Sequence, residues 1–586
     1  MARSQFTFST VPTLSRRRSY FDLSHSEKTS MSVGTLYPIL VQEVLPGDTY
    51  KLNTSQVCRL SSAFLRPVMD NCFMDVYYFF VPNRLTYNRW ENVMGQNDSS
   101  AWAPSETVNV PVIGTTAPIA SKSVGDYLGL PVGVNVKGAN VLPFRAFALI
   151  YNQWFRNENV IDPMNVTVGS LGASEVPNSS AWAPNNYFGM LPKVGKKKDY
   201  FTSALPAPQK GPAVTVSTLT GDIPVYSGSS NIPNNLITNS IGIRYGIVNS
   251  SADDIRDMQN GAVNVFGLNN IGQSSASSSV GNGQYLHQFN SYVGSSETLD
   301  IGPNASDSLA VPINLFANLS SGASATSVND LRFAFQLQKM YERDARGGTR
   351  YNEYLYSAFG VSNPDARLQI PEYIGGARMP INIQQVAQTN TQVESSTGDV
   401  ESPLASLGAF SHSVGRSRFS KSFTEHGFLI GVACIRQIHT YQQGIERFWF
   451  RNKRTDYYDP LFANLGEQPI YQAELFRPAS ATDDIHDSAV FGFNEAWADY
   501  RYKPNKVTGE MRSGISNSLD IWHFADEYAN APVLSQQFIQ ETPDYFDRTV
   551  AVPSSSQDNF IVDFYFNIQR YAVMPTYSVP GLIDHH

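Results

Sequence analysis

Two cation clusters in this chain are placed to meet a polyanion: Arg16, Arg17 and Arg18 near the start, and Lys196, Lys197 and Lys198 further along. Neutralising phosphate needs only positioned positive charge, so either set could hold nucleic acid without reading its sequence. The plainer reading of the three lysines is a solvated loop. A third set mixes types: Arg447, Phe448, Trp449, Phe450 and Arg451, with Lys453 and Arg454 following. Aromatic rings beside guanidinium groups can stack unpaired bases, but they are equally the composition of a packed subunit contact, and the contact is favoured here.

Catalytic constellations are missing from the sequence. The nine histidines form no pair at metal-ligand spacing, and there is no phosphate-binding loop, nucleophile elbow or dinucleotide fingerprint. His426 and His523 read as core or interface residues. Asp483, Asp484 and Asp487, or Asp456 and Asp459, could bind a divalent cation, yet exposed acidic turns are usually only solvated. The expectation is no metal, no cofactor and no enzyme activity.

The elements that position these residues are mainly β. The 586 residues include 34 Phe and 30 Tyr, which suit pleated, half-buried surfaces, and 41 Gly and 34 Pro, which punctuate turns. Charged residues make up 16%, against about 25% in ordinary soluble domains. A surface this poor in charge suits contact with other subunits, and a net charge of -8 does not suit a dedicated DNA-binding protein. Cys58, Cys72 and Cys434 show neither zinc-site spacing nor disulfide density, so three buried free thiols in a reducing cytoplasm are expected. The best apolar run, Phe428 to Ile435, falls far short of the roughly 20 residues a bilayer requires.

Along the chain, residues 1–35 read as an extended N-terminal arm. Leu36 to Val44 and Tyr50 to Leu60 read as strands joined by the turn Pro46-Gly47-Asp48, and Phe73 to Val81 as a buried central strand. A helix is expected after Pro143, where Phe144, Phe147, Ala148, Tyr151 and Phe155 recur at helical spacing. A second is expected after Asn329 and Asp330, with Phe333, Leu337, Met340 and Tyr341 as one buried stripe and Gly347-Gly348 as its stop. Gly427 to Ile438 reads as another buried strand, and Ile561 to Gln569 alternates with period two. Early and late strands then share one sheet system. The segment 204–328 is rich in Ser, Asn and Gly and reads as an inserted surface protrusion between core regions 36–203 and 329–586.

Several long runs resemble the major capsid proteins of the Microviridae, within them the gokushovirus group. They are EVLPGDT (Glu43 to Thr49), FAFQLQKMYERDARGGTRYNEY (Phe333 to Tyr354), ARLQIPEYIGG (Ala366 to Gly376) and HTYQQGIERFWFRNKRTDYYDPLFANLGEQPIY (His439 to Tyr471). NEAWADYRYKPNKVTGEMR (Asn494 to Arg512), SLDIWHFADEY (Ser518 to Tyr528) and the closing PGLIDHH complete the set. The resemblance implies an eight-stranded antiparallel jelly-roll β-barrel with long loop insertions and a few short helices. It implies a homo-oligomer in an icosahedral shell around a single-stranded DNA genome, assembled in the cytoplasm of a bacterial host. It also implies a small basic DNA-packaging protein, other virion proteins and a host cell-surface receptor as partners. Two other classes compete: a carbohydrate-binding β-sandwich spike and a glycan-active enzyme.

Overall fold

The computed structural model describes residues 17–96, 108–114, 116–166, 168–169, 181–182, 186–212, 214, 328–361, 369–382 and 412–577, with short strands inside 225–317 and 385–410. The chain divides into two compact units, residues 1–211 with 341–586, and residues 212–340. Much of the expected protrusion, and Arg16 of the arm, lie outside the described residues. Within the second unit the described strands form small antiparallel ladders, the longest pairing Ser308–Pro312 with Tyr245–Asn249.

Two antiparallel sheets build the first unit. One contains β1 (Ser19–Asp22), β2 (His25–Met31), β4 (Thr49–Leu60), β7 (Ser413–Ser422) and β11 (Phe560–Ala572). Its order is β1 and β2 side by side on β11, then β4, then β7. The other contains β3 (Tyr37–Val44), β5 (Cys72–Pro82), β6 (Glu372–Ile381) and β8 (Gly427–Gln437), in the order β6, β5, β8, β3, while β9 (Glu467–Tyr471) and β10 (Val490–Glu495) pair separately. Residues 19–31, read from composition as part of an arm, are paired in full register with β11, from Ser19 opposite Ala572 to Met31 opposite Phe560.

Sequence pattern and layer agree for a physical reason. In β11 the residues Phe560, Val562, Phe564, Phe566 and Ile568 are fully buried, and those between them face outward. A sheet with one dry face needs only alternation. The second sheet is covered on both faces, so β5 and β8 are almost continuously apolar. Met74, Val76, Tyr78 and Phe80 meet the first sheet, whereas Phe79 and Val81 meet helix α1 (Leu142–Ile150) and its surrounding loops. Pro143 sits in the first turn of α1, and the chain continues past Ile150 as one wider turn, Tyr151–Phe155.

The β3 to β4 turn is the expected one, with Gly47 at φ +86° and the Asp48 carboxylate accepting from Leu45 N–H at 3.1 Å. Two expectations change. Helix α2 (Val328–Gly347) forms and stops at Gly348, which has φ +84°, but its stripe is only partly covered: Phe333 is 68% exposed and Met340 40%, with Leu337 and Tyr341 half-buried. Helical periodicity identifies an apolar stripe without saying what covers it. A closed barrel is also not formed among the described residues. Where β6 and β7 come together, Asn382 N–H donates to Ser413 Oγ at 2.7 Å, and no backbone ladder joins the strands.

Candidate functional site

Lys196 does not reach solvent. Its segment runs antiparallel to residues 539–541, with Lys196 N–H donating to Ile539 O at 2.8 Å and Glu541 N–H to Val194 O at 2.8 Å. That pairing buries the side chain, whose Nζ lies 2.9 Å from Asp526 Oδ2 at 4% exposure. The other Asp526 oxygen accepts from His439 Nδ1 at 2.7 Å, and His439 Nε2 donates to Glu541 Oε2 at 3.0 Å. With a carboxylate on each nitrogen, the ring is held as an imidazolium. Burial alone would lower the His439 pKa, but the Glu541 and Asp526 carboxylates outweigh it and push it up to about 10. Burial works against ionised Asp526 as well, yet His439 and Lys196 hold its carboxyl well below the usual range.

Two cations and two anions thus form a neutral, sealed network in which each charge has a partner, the condition under which buried charge is tolerated. Gly34, at φ +83°, lies where a Cβ would collide with the Glu541 backbone, so glycine allows that segment to approach. The correction to the sequence reading is definite: Lys196 is a structural ion-pair partner and is unavailable to phosphate. Lys197 and Lys198 are exposed. Arg17 and Arg18 are exposed too, and Arg18 donates to Thr49 Oγ1 at 3.2 Å.

Arg447 to Phe450 form one tight turn. Phe450 is buried, stacked on Tyr471 with ring centres 5.8 Å apart, and His486 Nε2 donates to its carbonyl at 2.8 Å. Anchoring Phe450 sends the neighbouring rings outward: Phe448 is 45% and Trp449 66% exposed, with ring centres 4.8 Å apart. The two arginines are already engaged. Arg447 pairs with buried Glu474 at 2.7 Å and lies over Tyr471, and Arg451 pairs with Asp499 and lies over Tyr500. A cleft of about 680 Å³ separates this turn from residues 499–508. Across it, Lys503 and Lys506 both reach Glu446, at 3.1 and 2.5 Å.

The remaining candidates serve the fold. Asp456 accepts from Asn452 and Lys453 N–H, and Asp484 from His486 N–H, which are turn-capping roles. Among the described residues no His, Cys, Asp or Glu group gathers in a way that could hold a metal ion. His523 is buried, its Nδ1 accepting from Ala525 N–H and its Nε2 donating to Met511 O. His426 lies half-buried against Trp90. Cys58, Cys72 and Cys434 are free and buried, and burial pushes the Cys58 and Cys434 thiols up to about 12. His439, Asp526 and Glu541 escaped the sequence reading. Asp526 and Glu541 stand 87 and 102 residues from His439, so no local motif could announce them.

Two packed antiparallel sheets, locked by buried charge and carrying aromatic rings at the surface, define a mainly β, two-sheet protein. A family model described as capsid protein (F protein) matches residues 9–582, and the chain belongs to that phage capsid family. The capsid protein VP1 of Chlamydia phage 1 is 38% identical, covering 98% of this chain and 97% of its own length. Capsid protein VP1 of Bdellovibrio phage phiMH2K is 35% identical over 99% and 98%, and that of Spiroplasma virus 4 is 36% identical over 96% and 95%. The resemblance to Microviridae capsid proteins holds over nearly the whole chain, and the protein is a major capsid protein.

Proposed function

We propose that this chain self-assembles into a small icosahedral shell enclosing a single-stranded DNA genome, without catalytic activity of its own. The observation that carries the reading is the span of the likeness, since capsid proteins of three phages align with 96% or more of the chain. Strand order supports a jelly roll: β2, β11, β4, β7 in one sheet and β3, β8, β5, β6 in the other follow the interleaved order of two Greek keys. The exposed pair Phe448 and Trp449 suits a subunit contact, with Arg447, Phe450 and Arg451 holding it in place. Arg17, Arg18, Lys197 and Lys198 remain candidates for phosphate contact.

A shell of subunits at net charge -8 leaves most of the genome charge uncompensated, so a separate small basic packaging protein fits alongside other virion proteins. Buried, unpaired thiols suit assembly in the reducing cytoplasm of a bacterial host. The segment 204–328 is read as an outer protrusion that meets a host receptor. The test is direct: the purified full chain is expected to form closed shells of one diameter by electron microscopy and light scattering. A stable monomer at high concentration would return the spike reading.

A further inference from the structure

The outward face of the first sheet carries charge that the fold does not use. Strand alternation turns Lys51 and Arg59 of β4, Arg416 and Arg418 of β7, and Lys28 of β2 to this side, and all five are exposed. Arg18 joins them through Thr49. The acids on the same side are Asp22 and Asp563, which gives the face net +4 on a chain of net -8. Register concentrates the charge, because Arg416 stands opposite Ser55, Arg418 opposite Asn53 and Lys51 opposite Ser420. Neighbouring strands lie about 4.8 Å apart and alternate residues about 6.6 Å, so three cations share a patch roughly 14 Å across.

No ion pair engages any of the six cations among the described residues; Lys51 instead lies 5.4 Å over the Tyr571 ring. Tyr20 and Tyr565 are each about half exposed, and the Tyr20 and Tyr571 rings stand 5.5 Å apart. Cations on a flat sheet with open aromatic faces between them match the backbone and the unpaired bases of a single strand. The same face of a second copy would repel this one. The second sheet offers nothing comparable, since α1 and its loops cover its outer side.

We propose that the outward face of the β2, β11, β4, β7 sheet is the surface on which the capsid holds single-stranded DNA, with Arg59, Arg416 and Arg418 binding phosphate and Tyr20 and Tyr565 stacking bases. This deepens the reading of the chain as a genome-enclosing capsid subunit and rests on it. The experiment compares the full wild-type chain with the triple variant Arg59→Gln, Arg416→Gln, Arg418→Gln, after circular dichroism melts establish that both fold. Binding of a fluorescent oligothymidylate is titrated across salt concentrations, and assembled shells are assayed for DNA content. At low salt the triple variant should bind at least about tenfold more weakly, and its slope of log affinity on log salt should fall by about 2. Its shells should form at normal diameter with less DNA, and Asp563→Asn alone should tighten binding. Unchanged affinity and slope would overturn the proposal. So would folded variant subunits that keep oligonucleotide binding but no longer assemble, which would make the face a contact between copies. Failure of the wild-type chain to form shells would sink the capsid reading instead, and the titration would still decide whether this face binds DNA.

Discussion

His439 stabilises the fold only while it carries a proton. Its folded pKa, about 10, lies above the ordinary histidine value, so its contribution is complete below about pH 6.5 and is lost as pH rises through 10. His439→Gln leaves Asp526 and Glu541 buried with less compensation, and breaking such a pair costs about 3 to 5 kcal/mol. Denaturant melts should show that deficit at pH 6 and a smaller one at pH 10; a deficit independent of pH would mean the imidazolium is not the stabilising species. Glu27 follows the same sign from a different cause. Opposite Phe564 on the ladder, it is raised to about 7 by burial. Its folded pKa again exceeds the unfolded one, so the protonated form is favoured, and stability falls as pH rises from 4.5 through 7. Glu27→Gln should therefore melt higher than wild type at pH 8 and match it near pH 4.5, and equal melting points at both would show that Glu27 escapes its apolar surroundings.

At the scale of elements, the two helices expected from the sequence divide by what covers them. Helix α1 places Phe144 and Phe147 against the second sheet, and both are fully buried. Phe147→Ala would remove a ring from a closed core, where such changes cost about 3 to 5 kcal/mol. Helix α2 has an equally regular stripe, yet Phe333 and Met340 within it are 68% and 40% exposed. Phe333→Ala should thus leave solubility and melting temperature of the isolated subunit within experimental error, whereas Phe147→Ala should lower both. Aggregation of the Phe333 variant would place that ring in a core. The strands divide in the same way: β5 and β8 tolerate no polar face because both sides are covered, and β11 alternates because one side is open.

For the whole molecule, the break between the two units has a usable geometry, since Lys210 N–H donates to Tyr341 O at 3.2 Å and the ends of the intervening segment stand close together. Closure entropy grows only logarithmically with loop length, so a short Gly-Ser bridge replacing residues 212–340 should be accepted. Electron microscopy should then show shells of normal diameter without projections, attaching poorly to host cells; folded subunits that no longer form shells would make the segment an assembly element. Much of this architecture is legible in the one-dimensional pattern. The period-two alternation of Ile561 to Gln569, the unbroken apolar run Phe73 to Val81, the turn at Gly47 and the helix after Pro143 all follow from local rules of side-chain direction and backbone freedom. The family, too, is carried by contiguous runs of residues. What the sequence left open is every question of which face meets which partner. Lys196 reads as one of three solvated lysines until residues 526, 439 and 541 are brought around it, and the stripe of α2 reads as core until its exposure is known. Residue type and spacing act over a few neighbours, whereas burial and charge pairing depend on segments that only folding brings together, and that is why the tertiary structure alone decided them.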